Sequence, residues 1–295
     1  MRFLLPLLFV ITFIACSTGE YKDINGFSSN TNEKLSQFFN RMKSYNGRKI
    51  AVFDGDGTVL GQTPHYLADE CLYKEAEKRP DYRKKLIKKM SVTSNVSIPY
   101  VQYRIHYLSG KTLKDVRLMG EKCFKKDYSN KIYEPMKKLI GILKANNFEV
   151  WIVTASPEAL YQGFLSKSFG IPITHIVGVK SVVSGGIVTK KIVHPIPQDH
   201  GKKEAIETFI QDRPQFVAGN SRGDKEMIEY SSDISMIINP DTHIAQDQKI
   251  SIADYAKKKG WLIAHINDVP EKMFPSVSSK KFNVRINKTK KVKKD

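Results

Sequence analysis

Asp54 and Asp56 stand two residues apart in Asp54-Gly55-Asp56-Gly57-Thr58, directly after the apolar run Ile50-Ala51-Val52-Phe53. A strand alternates its side chains, so carboxylates at this spacing can face one site, and the glycines let the chain turn sharply between them. Such a pair can divide labour between a nucleophile and a proton carrier. Taken alone, the pentapeptide reads equally as an active site or as a calcium-binding turn or plain loop.

Three further segments carry residue types that phosphoryl transfer needs. After the apolar run Val150-Trp151-Ile152-Val153 comes Thr154-Ala155-Ser156-Pro157, a hydroxyl and free backbone N–H groups where a strand runs into a helix, suited to phosphate oxygens. Gly201-Lys202-Lys203 places ammonium groups at a helix start, where they can neutralise a transferring phosphoryl group. Gly219-Asn220-Ser221-Arg222-Gly223-Asp224 offers oxygen ligands for a hard cation such as Mg²⁺. Each has a bland reading: Thr154 as a helix cap, Lys202 as a solvated lysine, 219–224 as a turn capping a helix at Asp224. Together, each at the carboxyl end of a strand or the start of the next helix, they point to one site.

The elements that must position them alternate between two periodicities. Strands are expected at 50–53, 148–153, 173–179, 187–193, 215–218, 234–238 and 261–264, with Ser184-Gly185-Gly186 as a hairpin turn. Helices are expected near 35–42, 135–145, 157–169, 203–210 and 224–230. This is the pattern of an α/β protein with a Rossmann-like parallel sheet and helices on both faces. Between the first strand and residue 131 the pattern is helical only, at 66–78, 82–90, 100–108 and 113–124, which predicts an inserted helical module covering the strand end. The expected organisation is an export signal over 1–15, a tether over 16–32, a core of 33–61 and 131–275, a helical cap over 62–130 and a basic tail over 276–295.

On these motifs the chain resembles the haloacid dehalogenase-like phosphatase superfamily, in the branch containing phosphoserine and phosphorylcholine phosphatases, whose helical cap the insert resembles. The resemblance implies Mg²⁺-dependent hydrolysis of a small phosphate monoester. Asp54 would be the nucleophile that forms an aspartyl-phosphate, and Asp56 the acid and then base. Thr154 and Lys202 would hold the phosphoryl oxygens, Lys202 being chosen over Lys203 by its spacing to Ala205-Ile206. Asp54, the Asp56 carbonyl, Asn220 and Asp224 would hold the metal. Asn220 stands where most members carry Asp, so one formal charge is lost, although an amide oxygen can still ligate. Relatives specific for phosphoserine carry a glutamate where Thr63 stands, which disfavours phosphoserine. Tyr66, Asp69, Glu70, Tyr100, Tyr103, Arg104, His106 and Tyr107 are available to read the leaving group, but tyrosines at helical spacing more commonly pack a small core. His65, His194 and His200 are expected at the surface or behind the site, and no zinc cluster is expected.

Composition sets the compartment and the partners. A hydrophobic content of 41% with 26% charged residues is that of a folded chain, not a disordered one. Met1-Arg2, an apolar stretch to Ile14 and Ala15-Cys16-Ser17 read as an export signal, too short to span a bilayer. Phe13-Ile14-Ala15-Cys16 resembles a bacterial lipobox, with Phe13 where leucine is usual. It makes Cys16 the expected lipidated residue, anchoring an exported protein to a membrane at the periplasmic or cell surface. Cys71 and Cys123 then remain either to pair or to pack as small apolar residues. The formal net charge of +18 concentrates only at Lys280-Lys281 and in 288–294, which reads as a solvated tail, and no nucleic-acid motif accompanies it. A binding lipoprotein that keeps the fold with weak catalysis, or a phosphotransferase, are the alternatives to a hydrolase.

Overall fold

The computed structural model describes residues 20–62, 65–244, 247–268, 277–282 and 284. The export segment, Cys16, Thr63 and most of the basic tail lie outside the described residues.

Ile50–Phe53 forms β1, buried along its length, with Ala51 and Phe53 turned to one core cluster and Ile50 and Val52 to the other. That double burial is why the run is continuously apolar instead of alternating. β1 is central in a seven-stranded sheet completed by β2 (Glu149–Pro157), β3 (Ile176–Ser184), β4 (Ile187–Val193), β5 (Phe216–Gly219), β6 (Ile234–Ile238) and β7 (Leu262–Ala264). The strand order is β4-β3-β2-β1-β5-β6-β7, and every pair is parallel except the β3–β4 hairpin. This is the α/β, Rossmann-like core expected. The order reverses between β1 and its neighbours β2 and β5, which opens a crevice beyond the carboxyl ends of these strands. The hairpin turns at Gly185 and Gly186, whose φ values of 55° and 78° are those of a two-residue turn that glycines supply without strain.

Helices α1 (Ser29–Lys43), α6 (Glu134–Ala145) and α7 (Glu158–Phe169) cover one face of the sheet. Helices α8 (Gly201–Ala205), α9 (Lys225–Glu229) and α10 (Ile252–Lys259) cover the other. Between β1 and α6 the chain forms α2 (Leu67–Lys78), α3 (Lys84–Val92), α4 (Ile98–Leu108) and α5 (Leu113–Cys123), continued by a π-helical turn over Phe124–Tyr128. Its entry and exit run side by side: Leu60 and Ile132 form an antiparallel bridge, the Gly61 N–H donates to the Lys131 carbonyl at 2.8 Å, and the Tyr133 N–H donates to the Val59 carbonyl at 3.1 Å. Cys71 on α2 and Cys123 on α5 are joined by a disulfide.

Several details depart from the sequence reading. β3 starts at Ile176, because 173–175 closes into a 3₁₀ turn. β2 runs on through Thr154 to Pro157 with a register break after Val153, so Thr154 lies within an irregular strand end and does not cap α7. The expected tether is shortened: Asn32 in α1 accepts from the Tyr21 hydroxyl (2.7 Å) and the Ile24 N–H (3.0 Å), and Tyr21 stacks on Phe39. The expected tail contains a docked helix, α11 (Ser278–Phe282), whose start is capped by the buried Glu70 carboxylate on α2. α10 was not anticipated at all. Among the described residues no helix is long and apolar enough to cross a membrane.

Candidate active site

The ends of β1, β2 and β5 and the start of α8 converge under α2 and α4 on a cavity of about 100 Å³. Asp54, Asp56, Thr154, Lys202 and Asn220, drawn from four separate segments, all line it. Asp224 stands directly behind, fully buried.

Asp54 leaves the end of β1 with its N–H still bonded to the Ala218 carbonyl at 2.9 Å, so the nucleophile candidate is carried by the sheet itself. The turn that follows needs Gly57, at φ +85°, where an added Cβ would come within 2.6 Å of the Asn220 amide carbon. Lys202 Nζ bridges two carboxylates, 2.6 Å from Asp54 Oδ1 and 2.5 Å from Asp224 Oδ1. Asp224 Oδ2 accepts from the N–H groups of Asn220 (3.0 Å) and Ser221 (2.9 Å) and from the Ser221 hydroxyl (2.9 Å). This is a reciprocal capping box that fixes the turn Ser221-Arg222-Gly223-Asp224.

These contacts set the charges. Burial, reinforced by Asp224, pushes the Asp54 carboxyl up to about 7 against the pull of Lys202. Burial acts on Asp224 in the same direction, but Lys202 and the backbone donors outweigh it and hold that carboxyl below its ordinary range. Burial opposes charge on Lys202 as well, and the two carboxylates more than restore it, so the ammonium stays protonated. The Asp56 side chain points the other way, to Ser156 Oγ and the Tyr161 hydroxyl, both at 2.9 Å. Burial raises its carboxyl above the usual range despite these donors.

The implied cation can be tested on the Asn220 amide. One terminal atom of that amide lies 3.2 Å from Asp54 Oδ2, 3.2 Å from the Asp56 carbonyl oxygen and 3.3 Å from Asp224 Oδ2, and the other lies 3.0 Å from Gln62 Nε2. With the nitrogen turned to the three oxygens, every pair is a hydrogen bond. With the oxygen turned to them, four oxygens meet with no proton between, an arrangement that a hard cation holds together. The donor set of two carboxylates, a carbonyl and an amide therefore fits Mg²⁺. Among the described residues no group of three His, Cys, Asp or Glu side chains is arranged for a metal.

Thr154 is buried beneath Gly55, and its Oγ1 accepts from the Ser156 N–H at 3.2 Å. Of the eight insert residues considered as leaving-group readers, only Tyr66 and Arg104 line the cavity, joined there by Asn95 and Val96. Arg104 is held by Asp69, with Nε and Nη2 at 2.9 and 2.8 Å from Oδ1, and Asp69 also accepts from the Tyr100 hydroxyl (2.9 Å) and Asn95 Nδ2 (3.3 Å). Glu70 is spent on α11, and Tyr107 packs edge-on against Tyr82. His194 and His200 are exposed, whereas His65 is buried with its carbonyl accepting from Tyr128, and none lines the cavity. Sequence reasoning gave no role to Ser156, Tyr161, Gln62, Asn95 or Gln198. Only Ser156 carried a signal, sitting two residues after Thr154 on a strand and so facing the same way.

The family of haloacid dehalogenase-like hydrolases matches residues 51–229, more than half of the chain. No curated protein matches it in sequence. Among solved structures, one similar fold is that of a conserved functionally unknown protein from Anaerococcus prevotii DSM 20548, at 13% identity over 84% of this chain and 97% of that one, with a TM-score of 0.64. Another is a protein with unknown function from Bordetella pertussis Tohama I, at 16% identity over 74% of this chain and 99% of that one, with a TM-score of 0.55. At such identities the likeness is one of fold.

Proposed function

The chain belongs to the haloacid dehalogenase-like hydrolases, and from there we propose that it is a Mg²⁺-dependent phosphomonoesterase acting on small phosphate esters. The observation that carries this reading is the division of the two carboxylates: Asp54 faces Lys202 and the oxygen cluster, while Asp56 is turned to Ser156 and Tyr161. Asp54 attacks phosphorus, the bond from phosphorus to the leaving oxygen breaks, and the Asp56 proton goes to that oxygen. Water then attacks the aspartyl-phosphate, its proton returns to Asp56, and the bond to Asp54 breaks to release phosphate. Lys202 offsets charge beside Asp54, and Thr154, with the N–H groups around it, lies where phosphoryl oxygens would be held. Asp54, the Asp56 carbonyl, Asn220 and Asp224 would hold Mg²⁺, whose charge shields the carboxylate nucleophile from the anionic substrate.

The cavity of about 100 Å³ supports a small leaving group, read by Tyr66, Asn95 and Arg104 of the helical cap. The lipobox-like sequence supports export and anchoring of the protein to a membrane through Cys16, and the Cys71–Cys123 disulfide suits that oxidising compartment. The test is phosphate release from p-nitrophenyl phosphate in Mg²⁺. Asp54→Asn should abolish it while the far-UV spectrum and melting profile stay those of a folded protein, and turnover at the wild-type rate would refute the role of Asp54.

A further inference from the structure

Asp56 is held by more than its own strand end. Tyr161, in the first turn of α7, is completely buried, and its hydroxyl lies 2.9 Å from both Asp56 Oδ1 and Oδ2. Ser156 Oγ donates to Oδ2 at 2.9 Å. On its other side the phenol oxygen accepts the Ala68 N–H at 3.2 Å. Ala68 is the second residue of α2, so its N–H is one of the donors that a helix start leaves without an intrahelical partner. A phenol carries one proton, and with its acceptor side taken by Ala68 that proton is directed at Asp56. A phenylalanine would fill the same space beside Phe164 without burying a polar group, so packing alone does not account for the hydroxyl.

We infer that Tyr161 is a positioning residue that, with Ser156, fixes the Asp56 carboxyl for proton delivery to the leaving oxygen and makes this alignment depend on the seating of α2 over the core. The inference rests on the phosphomonoesterase reading above. It concerns the first half-reaction, in which the O–P bond to Asp54 forms, the bond to the leaving oxygen breaks and the Asp56 proton moves to that oxygen.

The experiment compares kcat/KM, which counts only steps up to departure of the leaving group, for an aryl and an alkyl ester. p-Nitrophenolate leaves without needing a proton, whereas the alkoxide of glycerol 3-phosphate needs one. Tyr161→Phe should lower kcat/KM for glycerol 3-phosphate by on the order of tenfold to a hundredfold, and for p-nitrophenyl phosphate at least tenfold less. A purely structural role would depress both esters together. Ser156→Ala removes the other donor to Asp56 from a strand position and should show the same selective loss, which keeps the test open if Tyr161→Phe does not fold. Equal losses on the two esters, or none on either, overturn the inference and leave the phosphomonoesterase reading intact. Wild-type protein inert towards both esters in Mg²⁺ overturns that reading and the inference with it.

Discussion

Replacing Asn220 with Asp tests how the oxygen cluster is balanced. The amide now offers either face: its N–H₂ can satisfy Asp54, the Asp56 carbonyl and Asp224 without a cation, or its oxygen can join them around one. A carboxylate has only the second option. At an effective dielectric near 20, unit charges 3.2 Å apart repel by about 5 kcal/mol. Spreading each charge over two oxygens and letting the turn relax leaves a net cost of about 3 kcal/mol. In EDTA, Asn220→Asp should therefore melt about 5 °C below wild type, at somewhat under ~2 °C per kcal/mol for 295 residues. Adding Mg²⁺ relieves the repulsion, so the cation should raise the melting temperature of the variant more than that of wild type. Calorimetric titration should give at least about tenfold tighter Mg²⁺ binding, equivalent to ~1.4 kcal/mol. A variant as stable as wild type in EDTA, with an equal response to Mg²⁺, would refute the argument that these oxygens share one site.

Two further outcomes follow from features outside the reaction centre. Cys71→Ser should cost about 4 kcal/mol of unfolding free energy, from the loop entropy of a 52-residue closure. Urea unfolding should show reduced wild-type protein shifted by the same amount, with no effect of reductant on the variant. Asp69→Asn strips the buried Arg104 of its counter-charge and should lower stability by about 3 kcal/mol or more, and a loss under ~1 kcal/mol by the same measurement would show the pair to be idle.

The sequence disclosed the residues that chain-local rules govern. Asp54 and Asp56 were legible because four apolar residues and then glycines mark a buried strand running out, and Lys202 because a helix begins there. What Lys202 touches was not legible, since Asp54 and Asp224 lie 148 and 22 residues away. Tyr161 was hidden for the same reason: on its own helix it is one more apolar-facing aromatic, and only the meeting of β1, α2 and α7 gives its hydroxyl partners. Arg104 and Asp69 were noticed as polar residues on helices, but that they neutralise each other depends on how α2 crosses α4. α10 was a different kind of miss, because Ser251 and Asp254 spell a helix start in sequence and do cap it.

The bridge between Leu60 and Ile132 has a consequence for how such a protein diversifies. Because the excursion leaves and rejoins the sheet at neighbouring residues, its replacement would ask no other connection to lengthen. Chemistry and recognition are thus wired as plug and socket, with the reacting carboxylate fixed in the socket. What the plug must preserve includes a helix-start N–H where Ala68 now stands and the bridge by which Thr112 pairs with Ile187 of β4. Any other module that seats such a donor over Tyr161 could inherit the same reaction with a different selectivity.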